Sequence, residues 1–109
     1  MYVRVVTFGL DGITTEQYED HCEQIADAFL AWPGLIAKVW LRDAETATFG
    51  GVYLFTSKDA ADLSRSTDIF TGMVSDPSFR DVTVLEYHTL EAPTAVTARS
   101  IGARPGRRP

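Results

Sequence analysis

The stretch FGGVYLF, residues 49–55, has two adjacent glycines at the head of a run of large apolar residues. Valine, tyrosine and phenylalanine favour a β-strand. Glycine weakens a strand interior by roughly 0.5–1 kcal/mol relative to alanine, so Gly50 and Gly51 need a specific reason to be there. The pattern therefore predicts a strand whose backbone is approached closely by another group.

Further predicted strands and helices lie before and after this strand along the chain. The predicted elements are strands at 2–9, 35–42, 48–56 and 81–90, a helix at 14–31, and two short helices within 58–76 that break near Ser66–Thr67. The long helix begins with a capping box, Thr14 and Gln17, and ends at Pro33. The resulting order β-α-β-β-α-β is that of a ferredoxin-like α+β fold, an antiparallel sheet with both helices on one face.

The hairpin formed by the second and third strands places a tryptophan against the glycines. If Arg42 pairs with Thr48, Trp40 lies opposite Gly50, and a shift by one residue places it opposite Gly51. Either register puts the indole over a glycine. Packing of the ring over bare backbone is the favoured explanation. The alternative is that the two glycines leave space for a ligand beside Trp40.

The glycine strand is apolar on both faces. Phe49, Tyr53 and Phe55 point to one face, and Val52 and Leu54 point to the other. Because the helices cover one face of the sheet, the second face needs another cover, and a second copy of so short a chain is the simplest one. We therefore predict a homodimer.

Composition restricts the class of protein. With 109 residues, 45% of them hydrophobic, the chain can form one domain with its own core, which we assign to residues 1–92. No apolar run approaches the ~20 residues of a membrane span, and the start MYVRVV does not have the pattern of a signal peptide. The single cysteine, Cys22, excludes an internal disulfide and fits a reducing cytoplasm.

Charge is distributed unevenly along the chain. The net charge is −5, although residues 91–109 carry four arginines and one glutamate. An acidic body argues against nucleic acid as the main partner. Residues 93–109 form a basic tail that is rich in glycine and proline, a composition that predicts a flexible segment.

Two stretches of the hairpin resemble a known family. PGLIAKVW, residues 33–40, followed by GGVYLF, residues 50–55, is similar to the YdhR-like putative monooxygenases, and VLEYHTLEAPTA, residues 84–95, resembles their last strand and exit segment. The resemblance implies a dimeric α/β barrel with a cavity between sheet and helices. It also implies chemistry with molecular oxygen that uses no flavin, haem or metal. Relatives place tryptophan and asparagine near aromatic substrates, but this chain contains no asparagine.

Five residues are candidates for substrate binding. The resemblance suggests that Trp40 stacks on an aromatic ring beside the space left by Gly50 and Gly51. Lys38 and Arg42 share a strand face with Trp40, and either could hold a phenolate or carboxylate. The favoured alternative for Lys38 is a stem packed on apolar neighbours with its ammonium at the rim.

Tyr53 and His88 are the candidate catalytic residues. Tyr53 would orient a substrate hydroxyl, or pack in the core as buried tyrosines usually do. His88 would act as general base on a phenolic proton, or lie at the dimer interface. Cys22 and its neighbour His21 point about 100° apart on the helix and lack further ligands, so no metal site is predicted and Cys22 is interpreted as a core residue.

Three hypotheses for function follow. The first is a homodimeric, cofactor-independent monooxygenase that acts with molecular oxygen on a small aromatic or polyketide-like substrate. The second is a cofactorless cyclase, dehydratase or isomerase of the same fold, which oxygen consumption would distinguish from the first. The third is a small-molecule-binding protein without turnover.

Overall fold

The computed structural model describes residues 1–98 of the chain. The strands are β1 (Tyr2–Leu10), β2 (Leu35–Asp43), β3 (Thr48–Phe55) and β4 (Phe79–His88), and the helices are α1 (Thr15–Ile25), α2 (Lys58–Ser64), α3 (Asp68–Ser75) and α4 (Glu91–Thr97). The four strands form one antiparallel sheet in the order β2-β3-β1-β4. The predicted ferredoxin-like α+β fold is confirmed.

The first helix begins as predicted but ends differently. The Thr14 hydroxyl accepts from the backbone N–H of Gln17, and the Gln17 side chain accepts from the backbone N–H of Thr14, which completes the capping box. The helix was predicted to continue to residue 31, but α1 ends at Ile25 and a 3₁₀ segment, Ala26–Ala31, follows it. The tighter 3₁₀ winding changes the direction of the following side chains, and Phe29 is buried in the core.

The core lies between the helices and one face of the sheet. Residues that pair directly across antiparallel strands share a face, and the pairs Arg4–Tyr53 and Tyr2–Phe55 lie on the covered side. Within residues 1–98 no helix packs on the opposite face. The apolar side chains of that face are Val3 and Val5 of β1, Ala37, Val39 and Leu41 of β2, Val52 and Leu54 of β3, and Leu85 and Tyr87 of β4.

The predicted domain boundary at residue 92 falls inside α4, which is helical over Glu91–Thr97. The greater part of the predicted flexible tail, residues 99–109, lies outside the described residues, so its flexibility stays a prediction. None of the helices within residues 1–98 is both long and apolar enough to cross a membrane.

Candidate functional site

A cavity of about 270 Å³ lies between the covered face of the sheet and the elements α1, the 3₁₀ segment and α3. Its walls are largely aromatic, and the rings that line it belong to Phe8, Tyr18, Phe29, Trp32, Trp40, Tyr53, Phe70 and Phe79. An apolar cavity of about 150 Å³ is enough to hold benzene. The cavity therefore has room for a substituted single ring or for two fused rings.

Lys38 carries its amine into this aromatic cavity. The Nζ atom lies 3.5 Å from the ring centre of Trp40, 3.6 Å from that of Phe29 and 4.6 Å from that of Tyr53. It forms no hydrogen bond or ion pair with any residue in the range 1–98. The sequence pattern favours a Lys38 ammonium at the rim of the apolar face. The structure instead places the amine against the ring of Phe29, which the 3₁₀ segment brings over it.

Burial changes the acidity of this amine. Removal from water disfavours the charged form and lowers the pKa of Lys38 to about 7, while the nearby Cys22 thiol raises it by a smaller amount. The three ring faces attract the ammonium and oppose the effect of burial. At neutral pH both the amine and the ammonium are consequently available to a ligand in the cavity.

The two glycines of β3 each make room for a different neighbouring group. Gly50 has a φ of +147°, and a Cβ atom there would lie 1.9 Å from the carbonyl oxygen of Val6 on β1. Only glycine fits this approach of the neighbouring strand. A Cβ on Gly51 would lie 3.0 Å from Cε of Lys38, so Gly51 leaves room for the lysine stem.

The hairpin takes the second of the two predicted registers. Trp40 pairs with Gly51, and Lys38 pairs with Tyr53. The atoms nearest to the position of a Gly51 Cβ belong to Lys38, Val39 and Tyr53, so the lysine stem rather than the indole lies over the bare backbone. Gly50 lines the cavity itself. Gly51 does not line it, but it leaves the room that the Lys38 stem needs to reach the cavity.

Trp40 and Tyr53, two of the candidate site residues, both line the cavity. The Trp40 ring meets Phe29 edge to face at 5.4 Å. Tyr53 stacks on Trp32 at 5.9 Å and on Phe55 at 6.1 Å. Burial raises the pKa of Tyr53 to about 12, so its hydroxyl stays protonated and can donate a hydrogen bond to a ligand.

Arg42 and His88 lie away from the cavity lining. Arg42 is exposed and pairs with Glu19 of α1 at 2.7 Å, in the geometry of an ion pair rather than of an aligned hydrogen bond. His88 is exposed at the end of β4, where its ring meets Tyr2 edge to face at 4.9 Å. His88 and Glu86 share a strand face, but the strand ends beyond the cavity.

The helices that face the sheet across the cavity contribute polar groups, of which sequence reasoning considered only His21 and Cys22. Asp68 on α3 and Asp76 just after it line the cavity, together with His21 and Cys22 of α1. Burial raises the pKa of the Cys22 thiol, which keeps it in the unreactive protonated form. Within residues 1–98 no three His, Cys, Asp or Glu side chains are arranged to hold a metal ion.

Arg4 was missed by sequence reasoning although its side chain is fully buried on the covered face of the sheet, where β1 places it next to Tyr53. Its Nε lies 2.6 Å from Glu86, and its terminal nitrogens donate to the Ser64 hydroxyl at 2.8 Å and to the carbonyl oxygen of Ala61 at 2.7 Å. The guanidinium also lies over Phe70, one of the cavity rings, at 5.0 Å. Arg4 thus joins β1 to β4 and holds α2 on the covered face of the sheet, next to the cavity.

The cavity-bearing elements match a known family in sequence. Residues 3–100 match the family described as "Putative mono-oxygenase ydhR". The chain belongs to this family. The match includes both strands of the hairpin and the helices that enclose the cavity, so the ydhR assignment covers the whole site. No curated protein sequence matches the chain significantly.

Solved structures share the fold of this ydhR-family chain. A protein from Deinococcus radiodurans described as "a putative antibiotic biosynthesis monooxygenase" aligns with a TM-score of 0.70 and 14% identity, covering 84% of this chain and 95% of that one. SnoaB from Streptomyces nogalater, described as a cofactor-independent oxygenase, aligns at 0.66 with 15% identity over 83% and 93%. The heme-degrader MhuD from Mycobacterium tuberculosis, solved with two hemes bound, aligns at 0.67 with 15% identity over 83% and 96%. At these identities the likeness is one of fold.

Proposed function

We propose that this protein is a cofactor-independent monooxygenase that oxidises a small phenolic aromatic in the cavity beside Lys38. The observation that carries the proposal is the amine of Lys38, which faces three aromatic rings in the cavity and has no hydrogen-bond partner within residues 1–98. Membership of the ydhR family supports monooxygenase chemistry. The likeness in fold to SnoaB, itself described as cofactor-independent, supports the absence of a cofactor requirement.

Lys38 supplies the proton acceptor that this chemistry needs. The neutral amine takes the proton of a phenol, and the ammonium so formed stabilises the phenolate. An electron-rich phenolate can pass an electron to molecular oxygen, and recombination of the two radicals forms a C–O bond to the ring. Loss of water then gives a quinone, so one phenol and one dioxygen yield one quinone and one water.

Neighbouring side chains would hold the ring in place. Trp40 and Phe29 offer faces and edges for aromatic contact. The Tyr53 hydroxyl forms no hydrogen bond within residues 1–98 and would donate to a substrate oxygen. The cavity volume favours substrates of one or two rings over larger polyketides. His88 and Arg42, which lie away from the cavity lining, have no part in the proposed reaction.

Oxygen uptake with phenols and naphthols tests the proposal. We expect kcat/KM to rise with pH through about 7, because the proton acceptor is the neutral form of Lys38. The profile is measured with an oxygen electrode, using ligands first selected by thermal shift. A ligand that stabilises the protein but is turned over without oxygen uptake would favour the cyclase, dehydratase or isomerase hypothesis. A ligand that binds without any turnover would favour a binding protein.

We also propose that two copies of the chain associate through the open face of the sheet. Val39, Leu85 and Tyr87 are 50%, 48% and 55% exposed there, and they lie beside further apolar residues of β1 and β3. A contiguous apolar face of this kind is typical of a surface that another protein covers. A second copy offers the same face, which makes the contact self-complementary.

The variant Leu85→Glu is expected to convert the dimer to a monomer, since it places a charge within the apolar face of the proposed interface. Sedimentation or light scattering measures the mass. The matched control is Leu63→Glu, because Leu63 is 55% exposed on α2, on the helical side of the sheet. A wild-type monomer, or a dimer that survives Leu85→Glu, would contradict the proposal.

A further inference from the structure

The chain has two lysines, and their surroundings are opposite. Lys58 lies exposed on α2 and donates to Asp62 at 2.9 Å, which raises the pKa of Lys58 above its ordinary value. Lys38 has no hydrogen bond or ion pair within residues 1–98. It lines the aromatic cavity and also a smaller one of about 180 Å³ between β2 and the 3₁₀ segment. A small ligand that occupies either cavity can therefore reach the amine of Lys38.

We propose that Lys38 binds small aromatic aldehydes and ketones covalently as an imine, an activity that goes beyond oxygenation. The Nζ atom attacks the carbonyl carbon, a C–N bond forms, and the carbonyl oxygen takes up a proton to give a carbinolamine. The carbinolamine then loses its hydroxyl group and the remaining N–H proton as one water molecule. No oxidant or reductant takes part, so the step is independent of the proposed monooxygenase reaction.

The cavity meets the requirements of this chemistry. A lysine in apolar surroundings reacts as a nucleophile because a larger fraction of it is unprotonated, and burial lowers the pKa of Lys38 to about 7. Side chains that can exchange protons during the loss of water also line the cavity. The ionisable side chains that line the cavity with Lys38 are Tyr18, His21 and Cys22 of α1, Tyr53 of β3, and Asp68 and Asp76 at the two ends of α3.

The aromatic walls select the carbonyl compound. The rings of Phe29, Trp40 and Tyr53 surround the amine at 3.5–4.6 Å, so an aryl group on the carbonyl carbon would take up favourable contacts with them. The volume of about 270 Å³ accepts a benzaldehyde-sized molecule. A small aliphatic aldehyde would gain little from these rings.

The test is reductive trapping under anaerobic conditions. The wild-type protein is treated with 4-hydroxybenzaldehyde and cyanoborohydride near neutral pH, and peptide mapping by mass spectrometry locates the adduct. We expect Lys38 to be labelled faster than Lys58 by at least about tenfold, because each unit of pKa difference changes the unprotonated fraction tenfold. The amino terminus is mapped separately. Labelling of both lysines at equal rates would overturn the proposal.

Three controls make the result specific to the site. Lys58→Arg should leave the labelling of Lys38 unchanged, and Lys38→Arg should remove the cavity adduct while the circular dichroism spectrum is kept. Gly51→Ala, whose Cβ would lie 3.0 Å from Cε of Lys38, should slow the labelling without removing the amine. Formaldehyde, which has no ring, should label with a much smaller preference for Lys38. An equal preference with formaldehyde would show a reactive lysine without an aromatic site and would overturn the proposed specificity.

Discussion

Replacing Lys38 with methionine is expected to lower oxygen uptake with phenolic substrates by roughly 10²–10⁴-fold, the range that a positioned proton acceptor typically contributes. Methionine keeps much of the stem volume and removes the amine. The matched control is Lys58→Met, which removes the exposed lysine of α2 and should leave uptake unchanged. Oxygen consumption by Lys38→Met at the wild-type rate would contradict the role assigned to this amine.

The same variant is expected to be more stable than wild type near neutral pH. The pKa of Lys38 is about 7 in the folded protein and ordinarily 10.5, so the unfolded chain binds the proton more tightly and the lysine opposes folding. This penalty is fully present below about pH 7 and disappears as the pH rises through about 10.5. The stability advantage of Lys38→Met in urea unfolding should therefore shrink between about pH 7 and pH 10.

The second large effect is expected for Arg4→Met, at a cost of about 3–5 kcal/mol in the free energy of unfolding, because it breaks a buried charged network. Arg4 is fully buried and bonds to Glu86, Ser64 and the carbonyl oxygen of Ala61. The matched control is Arg65→Met. Arg65 binds the same carboxylate oxygen of Glu86 at 2.8 Å but is 44% exposed, so its loss should cost less than about 1 kcal/mol.

The pH dependence of this network follows from Glu86. Burial raises the pKa of Glu86, but the hydrogen bonds and charges of Arg4 and Arg65 outweigh it and hold the pKa below its usual range. The stabilisation is present above the ordinary carboxyl pKa and is lost as the pH falls through the lowered one. Arg4→Met should weaken this acid dependence. Equal losses of stability in Arg4→Met and Arg65→Met would contradict the buried network.

Much of the fold could be predicted from local sequence signals. Alternating apolar residues located the four strands, and the Thr14–Gln17 capping box located the start of α1. The change from α1 to a 3₁₀ segment at Ala26 was not predictable, because Ala26–Ala31 has no proline or glycine to mark it. That change brings Phe29 over the sheet, and it depends on tertiary packing rather than on local preference.

The candidate site was also predictable only in part, because local sequence signals locate its residues but tertiary packing sets the direction of their side chains. Trp40, Tyr53 and Lys38 were located by their alternation along the hairpin, but the direction of the Lys38 amine depends on Phe29, which comes from another element. The sequence does contain a pattern that predicts the burial of Arg4. This residue alternates with Tyr2 and Val6 on the covered face of β1, and a charged residue at such a position requires buried partners. Those partners on α2 and β4 follow only from the assembled fold.

Selective labelling of the two lysines with ¹⁵N, followed by an NMR titration of their side-chain nitrogens, would show whether the cavity holds a reactive amine at Lys38. We expect two separate transitions, one for Lys38 near pH 7 and one for Lys58 above the ordinary lysine value, because Asp62 stabilises the charge of Lys58. The variant Lys58→Arg assigns the resonances. A Lys38 that titrates together with Lys58 would contradict both the proton-accepting role and the imine chemistry.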